Sequence, residues 1–477
     1  MRATAQERSG PLPEEPGICF FNGIDGATGE YLLPPLPPSR LAAAARGEPR
    51  YQLPDAGSGG GAEGSARDLA AGFDAGDLGQ SGWGVIFAPS VGGAEREALA
   101  PLLALRRAQA SRLREARFRS LDYRPGESKM RFLARHNVVP GAATPNRMPY
   151  YLLLVGDPEE IGFEFQYQLD VQYGVGRIHF DTPEEYERYA RAVVEAESGK
   201  VRRPRAAAFF APSNPGDRPT ARSCEQLAAP LAATLAAEPG GWSVRTHLAE
   251  RATKRELQAL LAAGDAPALL FTAGHGLCFQ AGDDRQTSLQ GSLVCQEWPG
   301  PGQPIDESDY FSADDLAPDA RVAGMIAFHF SCFGAGTPRR DGFPVPLHGR
   351  REIAPKSFLS RLSRRLLTHP AGGALAVVGH VDRAWSWSFA GAGEDGPTLR
   401  PVFESALRRL TGGYPVGYAT EFFNSCYAEL STVLDEEARS SAGDDERLAQ
   451  LWTSRNDARS YAVLGDPAVR LAVAPAA

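Results

Sequence analysis

Two short apolar runs in this 477-residue chain end in residue types that can break an amide bond. AlaLeuLeuPheThrAla leads into GlyHisGly at 274–276, and MetIleAlaPheHisPheSer leads into Cys332, followed by PheGlyAlaGly. A thiol attacks a peptide carbonyl as thiolate, and a neighbouring imidazole takes its proton and returns it to the leaving amine. The oxyanion formed on the way needs backbone N–H donors with no side chain in front of them, a role open to Gly276 and to Cys332 itself. Gly334 and Gly336 let the chain turn sharply beneath a bound substrate. Taken singly, each residue has a plainer reading, GlyHisGly as a loop and Cys332 as a small buried side chain. Both standing at strand ends, with Cys332 following His275 by 57 residues, favours a nucleophile and its base.

The two residues meet only if their strands run the same way in one sheet. Strand candidates at Ala206–Ala211, Ala268–Thr272, Val322–Phe330 and Ala374–Val378 alternate with helix candidates at Ser223–Ala237, Thr253–Ala263 and Ala354–His369. Such alternation calls for a mainly parallel sheet with helices on both sides, and in such sheets function collects beyond the carboxyl ends of the strands. An earlier α/β unit is expected from Trp83–Pro89, a helix over Glu95–Arg119, the strand Tyr150–Val155 and the helix Pro183–Ser198. Before it, ProProLeuProPro at 34–38 and GlySerGlyGlyGly at 57–61 suit an arm without a continuous core, holding one short strand at Ile18–Phe21. The expected division is an arm over 1–80, a non-catalytic α/β subdomain over 81–200 and a catalytic subdomain over 201–477. GlyAspPro recurs at 156–158 and 465–467, weak evidence for related halves.

Six segments together resemble the gingipain-type peptidases, relatives of the caspases, over roughly residues 145 to 470. They are TyrLeuLeuLeuValGlyAsp at 151–157, TyrGlyValGlyArgIle at 173–178, GlyHisGly at 274–276, SerCysPheGlyAlaGly at 331–336, GlyAlaLeuAlaValValGlyHis at 373–380 and ValLeuGlyAspProAlaValArgLeu at 463–471. The resemblance implies a caspase-like α/β fold, a catalytic dyad at His275 and Cys332, and oxyanion donors in the backbones of Gly276 and Cys332. It also implies that the loop from Asp382 to Trp387 shapes the substrate cleft, with Trp385 or Trp387 as a pocket wall. Calcium activation, known among such relatives, is a further implication for the acidic stretch Leu277–Pro318; a solvated insertion is the plainer reading.

Pocket charge sets cleavage preference, because a buried charge needs its opposite. Asp217 and Asp382 would select Arg or Lys, whereas Arg222 would select an acidic side chain, and an apolar preference stays open. His329, three residues before Cys332, belongs on the opposite face by strand alternation. His380 ends a strand as a lesser candidate. ArgArgAsp at 339–341 is a candidate self-cleavage loop.

A net charge of −8 argues against nucleic acid as a partner, since displacing counterions from phosphates needs a basic face. The basic stretch Lys356–Arg365 has the pattern of a solvated helix face. Six scattered cysteines without a CxxC pair suggest free thiols, no disulfide framework and no metal site. The first residues carry no secretory pattern and no apolar run long enough to span a membrane, so a cytoplasmic location is expected. The composition suggests a bacterial source. The reading is thus a cysteine endopeptidase needing no cofactor, with a protein substrate, a regulatory protein partner and, by family analogy, a place in bacterial defence or cell death. The alternatives are a catalytically idle scaffold and a Cys-dependent amidase or acyltransferase.

Overall fold

The computed structural model describes residues 18–47, 69–262, 264–343, 352–385, 387–390, 399–439 and 444–474. Twelve strands matter for the site: β1 (Ile24–Asp25), β2 (Trp83–Phe87), β3 (Phe118–Asp122), β4 (Tyr151–Val155), β5 (Gly174–Ile178), β6 (Ala206–Ala211), β7 (Ser243–Leu248), β8 (Leu269–Ala273), β9 (Leu277–Cys278), β10 (Ile326–Phe330), β11 (Ala376–His380) and β12 (Tyr461–Gly465). Ten of them form one sheet in the order β3-β2-β4-β5-β12-β11-β10-β8-β6-β7. Every pairing is parallel except β11 with β12. The fold is therefore a mixed α/β one, a mostly parallel central sheet flanked by helices.

The sheet's middle strands are buried along their whole length, as continuous apolar runs such as TyrLeuLeuLeuVal and IleAlaPheHisPhe require. One sheet runs through both units, because the C-terminal strand β12 enters between β5 and β11. Its GlyAspPro turn ties the units together: Asp466, fully buried, accepts hydrogen bonds from Trp83 Nε1 at 2.9 Å and Arg106 Nε at 2.6 Å. Arg106 also reaches Glu197 at 3.1 Å.

Local chemistry corrects several expected boundaries. The helix expected over Glu95–Arg119 is two helices, Gly93–Ala98 and Ala100–Ala110, and the segment ends in β3. Pro101 lacks an amide hydrogen and opens the second of these helices. The helix expected from Ser223 starts earlier, at Arg218, and carries a π-helical stretch over Ser223–Ala228 before Pro230, whose missing donor breaks the regular ladder.

In the arm, Cys19 makes only a single bridge, to Leu36; the strand is β1, which pairs in parallel with β9. Residues 18–36 form a hairpin, closed by Asp25 N–H to Glu30 O at 2.9 Å and Leu32 N–H to Gly23 O at 3.0 Å. A helix, Pro38–Gly47, follows and packs Leu41, Ala42 and Ala45 against the helix Asp445–Ser460. GlySerGlyGlyGly at 57–61 lies outside the described residues.

Candidate active site

His275 and Cys332 leave the sheet at the same edge because β8 and β10 are parallel neighbours in register, Ala273 opposite Phe330. Gly274 N–H bonds Phe330 O at 3.0 Å, locking the two strand ends side by side. Glycine at 276 is compulsory: a β-carbon there would lie 2.0 Å from Cys332 O. The next strand, β6, is also parallel to β8, so the loop after it opens at the same edge. That loop carries Asp217.

Asp217 N-caps the helix Arg218–Arg222, accepting from Thr220 N at 3.1 Å. Its carboxylate also accepts the Thr220 hydroxyl, Tyr31 OH at 2.6 Å and His275 Nε2–H at 2.8 Å. Burial alone would raise its pKa, but His275, Thr220 and Tyr31 outweigh burial and hold the carboxyl below its ordinary range. On the other ring nitrogen, Nδ1 faces Gly23 N–H at 2.9 Å. An amide nitrogen only donates, so Nδ1 carries the lone pair and Nε2 the proton directed at Asp217. This is the tautomer a general base on the Nδ1 side needs.

Cys332 Sγ accepts Ala384 N–H at 3.2 Å. The turn after it is held in an uncommon conformation. Phe333 and Asp382 both have positive φ, 57° and 73°, and Phe333 N–H bonds Asp382 O at 2.7 Å. Each such non-glycine residue costs about 1 kcal/mol or more, which the surrounding bonds must offset. Among the described residues, neither the Gly276 nor the Cys332 amide N–H has a protein acceptor, and no hydrogen bond joins His275 to Cys332. His275, Cys332 and Asp217 are all buried. Beside Cys332 lies Cys278, whose thiol is pushed well up by burial and then by Cys332.

The structure separates the other sequence candidates. Asp382 lines a cavity next to Cys332 together with Phe333, Gln290, Asp341, Arg383 and Leu32 of the arm. Burial pushes its carboxyl up to about 6 against the pull of Arg383. Asp217 does not line that cavity: its carboxylate accepts from His275, Tyr31 and Thr220, which places it beside His275. Arg222 ends its short helix half-buried and does not line that cavity. Trp385 is fully buried among Phe21, Phe343 and Trp452, so it walls no open pocket in this state. Trp387 starts the short helix Trp387–Ala390, and its side chain lies outside the described residues.

His329 bonds Thr272 Oγ1 at 2.8 Å on the far side of β10, its pKa held down to about 4 by burial. His380 sits 3.1 Å from Asp457 in a second, fully buried pair. The acidic stretch after His275 contains a short hairpin, Leu293–Val294 with Tyr310–Phe311. Its carboxylates reach cations, Asp314 to Arg361 at 2.6 Å and Asp315 to Lys254 at 2.7 Å. Among the described residues, no group of three or more His, Cys, Asp or Glu side chains is placed to hold a metal ion, and no helix is long and apolar enough to cross a membrane.

Sequence reasoning missed Asp217 as the partner of His275, although AspArgProThr is an N-cap signature and the strand before it neighbours the His strand. Arg383 carried no sequence signal. It is buried and paired with Asp341 and Asp382.

No family model matches the chain, and no curated protein matches it. Among solved structures, one described as "Structure of Protease" is similar over 83% of this chain and 80% of its own, at 12% identity and a TM-score of 0.48. A complex of the pro- and mature domains of Porphyromonas gingivalis RgpB is similar over 82% and 80%, at 11% identity and a TM-score of 0.46.

Proposed function

We propose that this chain is a cysteine endopeptidase whose nucleophile is Cys332. The observation that carries the reading is the set Asp217–His275–Cys332 at one sheet edge, with the Gly276 and Cys332 amides unengaged beside it. Asp217 holds the proton on Nε2, so Nδ1 keeps its lone pair and takes the thiol proton once it faces Sγ in place of Gly23 N–H. The thiolate adds to the scissile carbonyl carbon, and the resulting oxyanion is met by the two backbone N–H groups. His275 then gives its proton to the leaving amine, leaving a thioester on Cys332. Water attacks that thioester with His275 again as base, releasing the acid and restoring the thiol. No organic cofactor takes part in this cycle. An extended protein segment is the fitting substrate, because peptidases hold substrate as an added strand and β9, next to the dyad, already takes β1 as a parallel partner.

The test is digestion of a peptide library read by mass spectrometry with the wild type, Cys332→Ala and Asp217→Asn. Cleavage that vanishes in Cys332→Ala and falls steeply in Asp217→Asn supports the reading. Undiminished cleavage in Cys332→Ala refutes it.

A further inference from the structure

The N-terminal hairpin lies where a substrate has to lie. Gly23 donates its amide hydrogen to His275 Nδ1 at 2.9 Å, on the nitrogen the mechanism needs free. On its other side, a β-carbon at Gly23 would come within 3.1 Å of Cys332 Sγ and 3.3 Å of Cys278 Sγ. The Gly23 backbone therefore stands between imidazole and thiol, which accounts for the missing hydrogen bond between them.

Contacts on both sides of Gly23 have the form of strand addition. Downstream, β1 runs parallel to β9, with Ile24 N–H to Gly276 O at 3.3 Å and Gly26 N–H to Cys278 O at 2.7 Å. Upstream, Asn22 Nδ2 donates to Gly274 O at 3.1 Å, and the Phe21 ring meets Trp385 edge-on at 5.0 Å between centroids. Leu32 and Leu33 close the cavity beside Cys332. A peptide held by backbone bonds and side-chain contacts over a catalytic centre is how extended substrates bind.

We infer that residues 18–36 are a built-in occupant of the substrate cleft, holding the enzyme closed until the hairpin is displaced. This rests on the endopeptidase reading. The arm is suited to leave and return. Its helix Pro38–Gly47 stays anchored on the helix Asp445–Ser460, with Arg46 paired to Asp445 at 2.7 Å. Pro37 alone separates the hairpin, closed at Leu36 by its bonds to Cys19, from that anchoring helix, and the ProProLeuProPro run at 34–38 keeps the join stiff. The hairpin is seated on the catalytic loops by a handful of backbone hydrogen bonds, by the buried Phe21 and Ile24 side chains and by Tyr31 OH, which donates to Asp217 at 2.6 Å. A competing peptide or a regulatory protein that grips the hairpin has to replace these contacts.

The hairpin turn allows a test far from the reacting groups. Gly29 has φ +72°, and a β-carbon there would lie 1.8 Å from Gln303 O; at Gly26 it would lie 2.6 Å from the Phe279 ring. Gly29→Ala and the double variant Gly26→Leu/Gly29→Ala therefore push the turn off its seat. In the full chain, hydrogen exchange over residues 22–32 reports the opening, iodoacetamide modification of Cys332 reports access, and peptide hydrolysis reports turnover. The expected result is faster exchange, with Cys332 modification and hydrolysis each rising about tenfold or more. A synthetic peptide of residues 18–36 should reverse both rises. Opening without faster Cys332 modification overturns the inference. So does turnover that falls as the thiol becomes accessible, since the arm would then complete the site. Accessibility that rises and is reversed by the peptide, with no substrate cut under any condition, upholds the occupant and rejects the endopeptidase reading.

Discussion

His275 Nε2 lies 2.8 Å from the Asp217 carboxylate, and both side chains are shut away from solvent. A buried carboxylate bonded to one imidazole nitrogen fixes the tautomer and stabilises the imidazolium formed when the other nitrogen takes a proton. Asp217→Asn keeps the shape but presents an amide that can donate, favouring the wrong tautomer. On the proposed mechanism, turnover of the Gly29→Ala protein should fall by roughly two to four orders of magnitude with little change in KM when Asp217→Asn is added. Steady-state kinetics with a cleaved library peptide checks this.

Gly276 brings the His strand end onto the Cys332 backbone. Gly276→Ala places a methyl group 2.0 Å from Cys332 O, so the two loops must part. The proposed dyad and oxyanion donors would separate together, and turnover should drop roughly a hundredfold or more. Comparing Gly276→Ala with Gly274→Ala, whose β-carbon would meet only Pro212 at 3.3 Å, separates this effect from general loop damage.

His329 predicts part of the acid sensitivity of the fold. Its folded pKa, about 4, lies below the ordinary 6.5 because burial penalises the charged ring. Between those values the unfolded chain binds more protons than the native one, so stability rises with pH across that window. On acidification from about 6.5 to about 4, roughly 3 kcal/mol of stability is lost. His329→Leu should flatten the dependence of unfolding free energy on pH over that range, as measured by denaturant titration at several pH values.

Asp466 is the buried anchor of the C-terminal strand. Removing its carboxylate leaves Arg106, whose side chain is 1% exposed, with Glu197 as its one remaining carboxylate among the described residues, and leaves Trp83 Nε1 without its acceptor. Asp466→Ala should destabilise the fold by about 2–3 kcal/mol, the scale of lost hydrogen bonds to a charged group. The loss exceeds that of a surface pair because Arg106 and Trp83 Nε1 stay buried. Thermal unfolding of the variant measures it.

The strands and their order of function were legible because β8, β10 and β11 are short apolar runs closed by glycine or polar residues, the mark of strands buried on both faces. His275 and Cys332 could be placed together for the same reason, since two parallel strands that end in reactive residues share an edge. The role of Asp217 was obscured by reading it as a pocket charge. Its cap position shows it to be fixed by its own helix, and that required recognising Arg218–Arg222 as the helix start. The arm was the least legible part. Nothing in the alternation of Ile18–Phe21 reveals that Gly23 passes between two side chains more than 250 residues away. Such contacts are tertiary, and a Pro- and Gly-rich composition reads locally as loop.

The most direct test of the central claim is the pH dependence of Cys332 alkylation in the Gly29→Ala protein, compared with the same protein carrying His275→Ala. The account predicts modification at Cys332, found by peptide mapping, that slows about tenfold or more when His275 is removed. Equal rates with and without His275, or modification that falls on another cysteine while Cys332 stays unreacted, would contradict it.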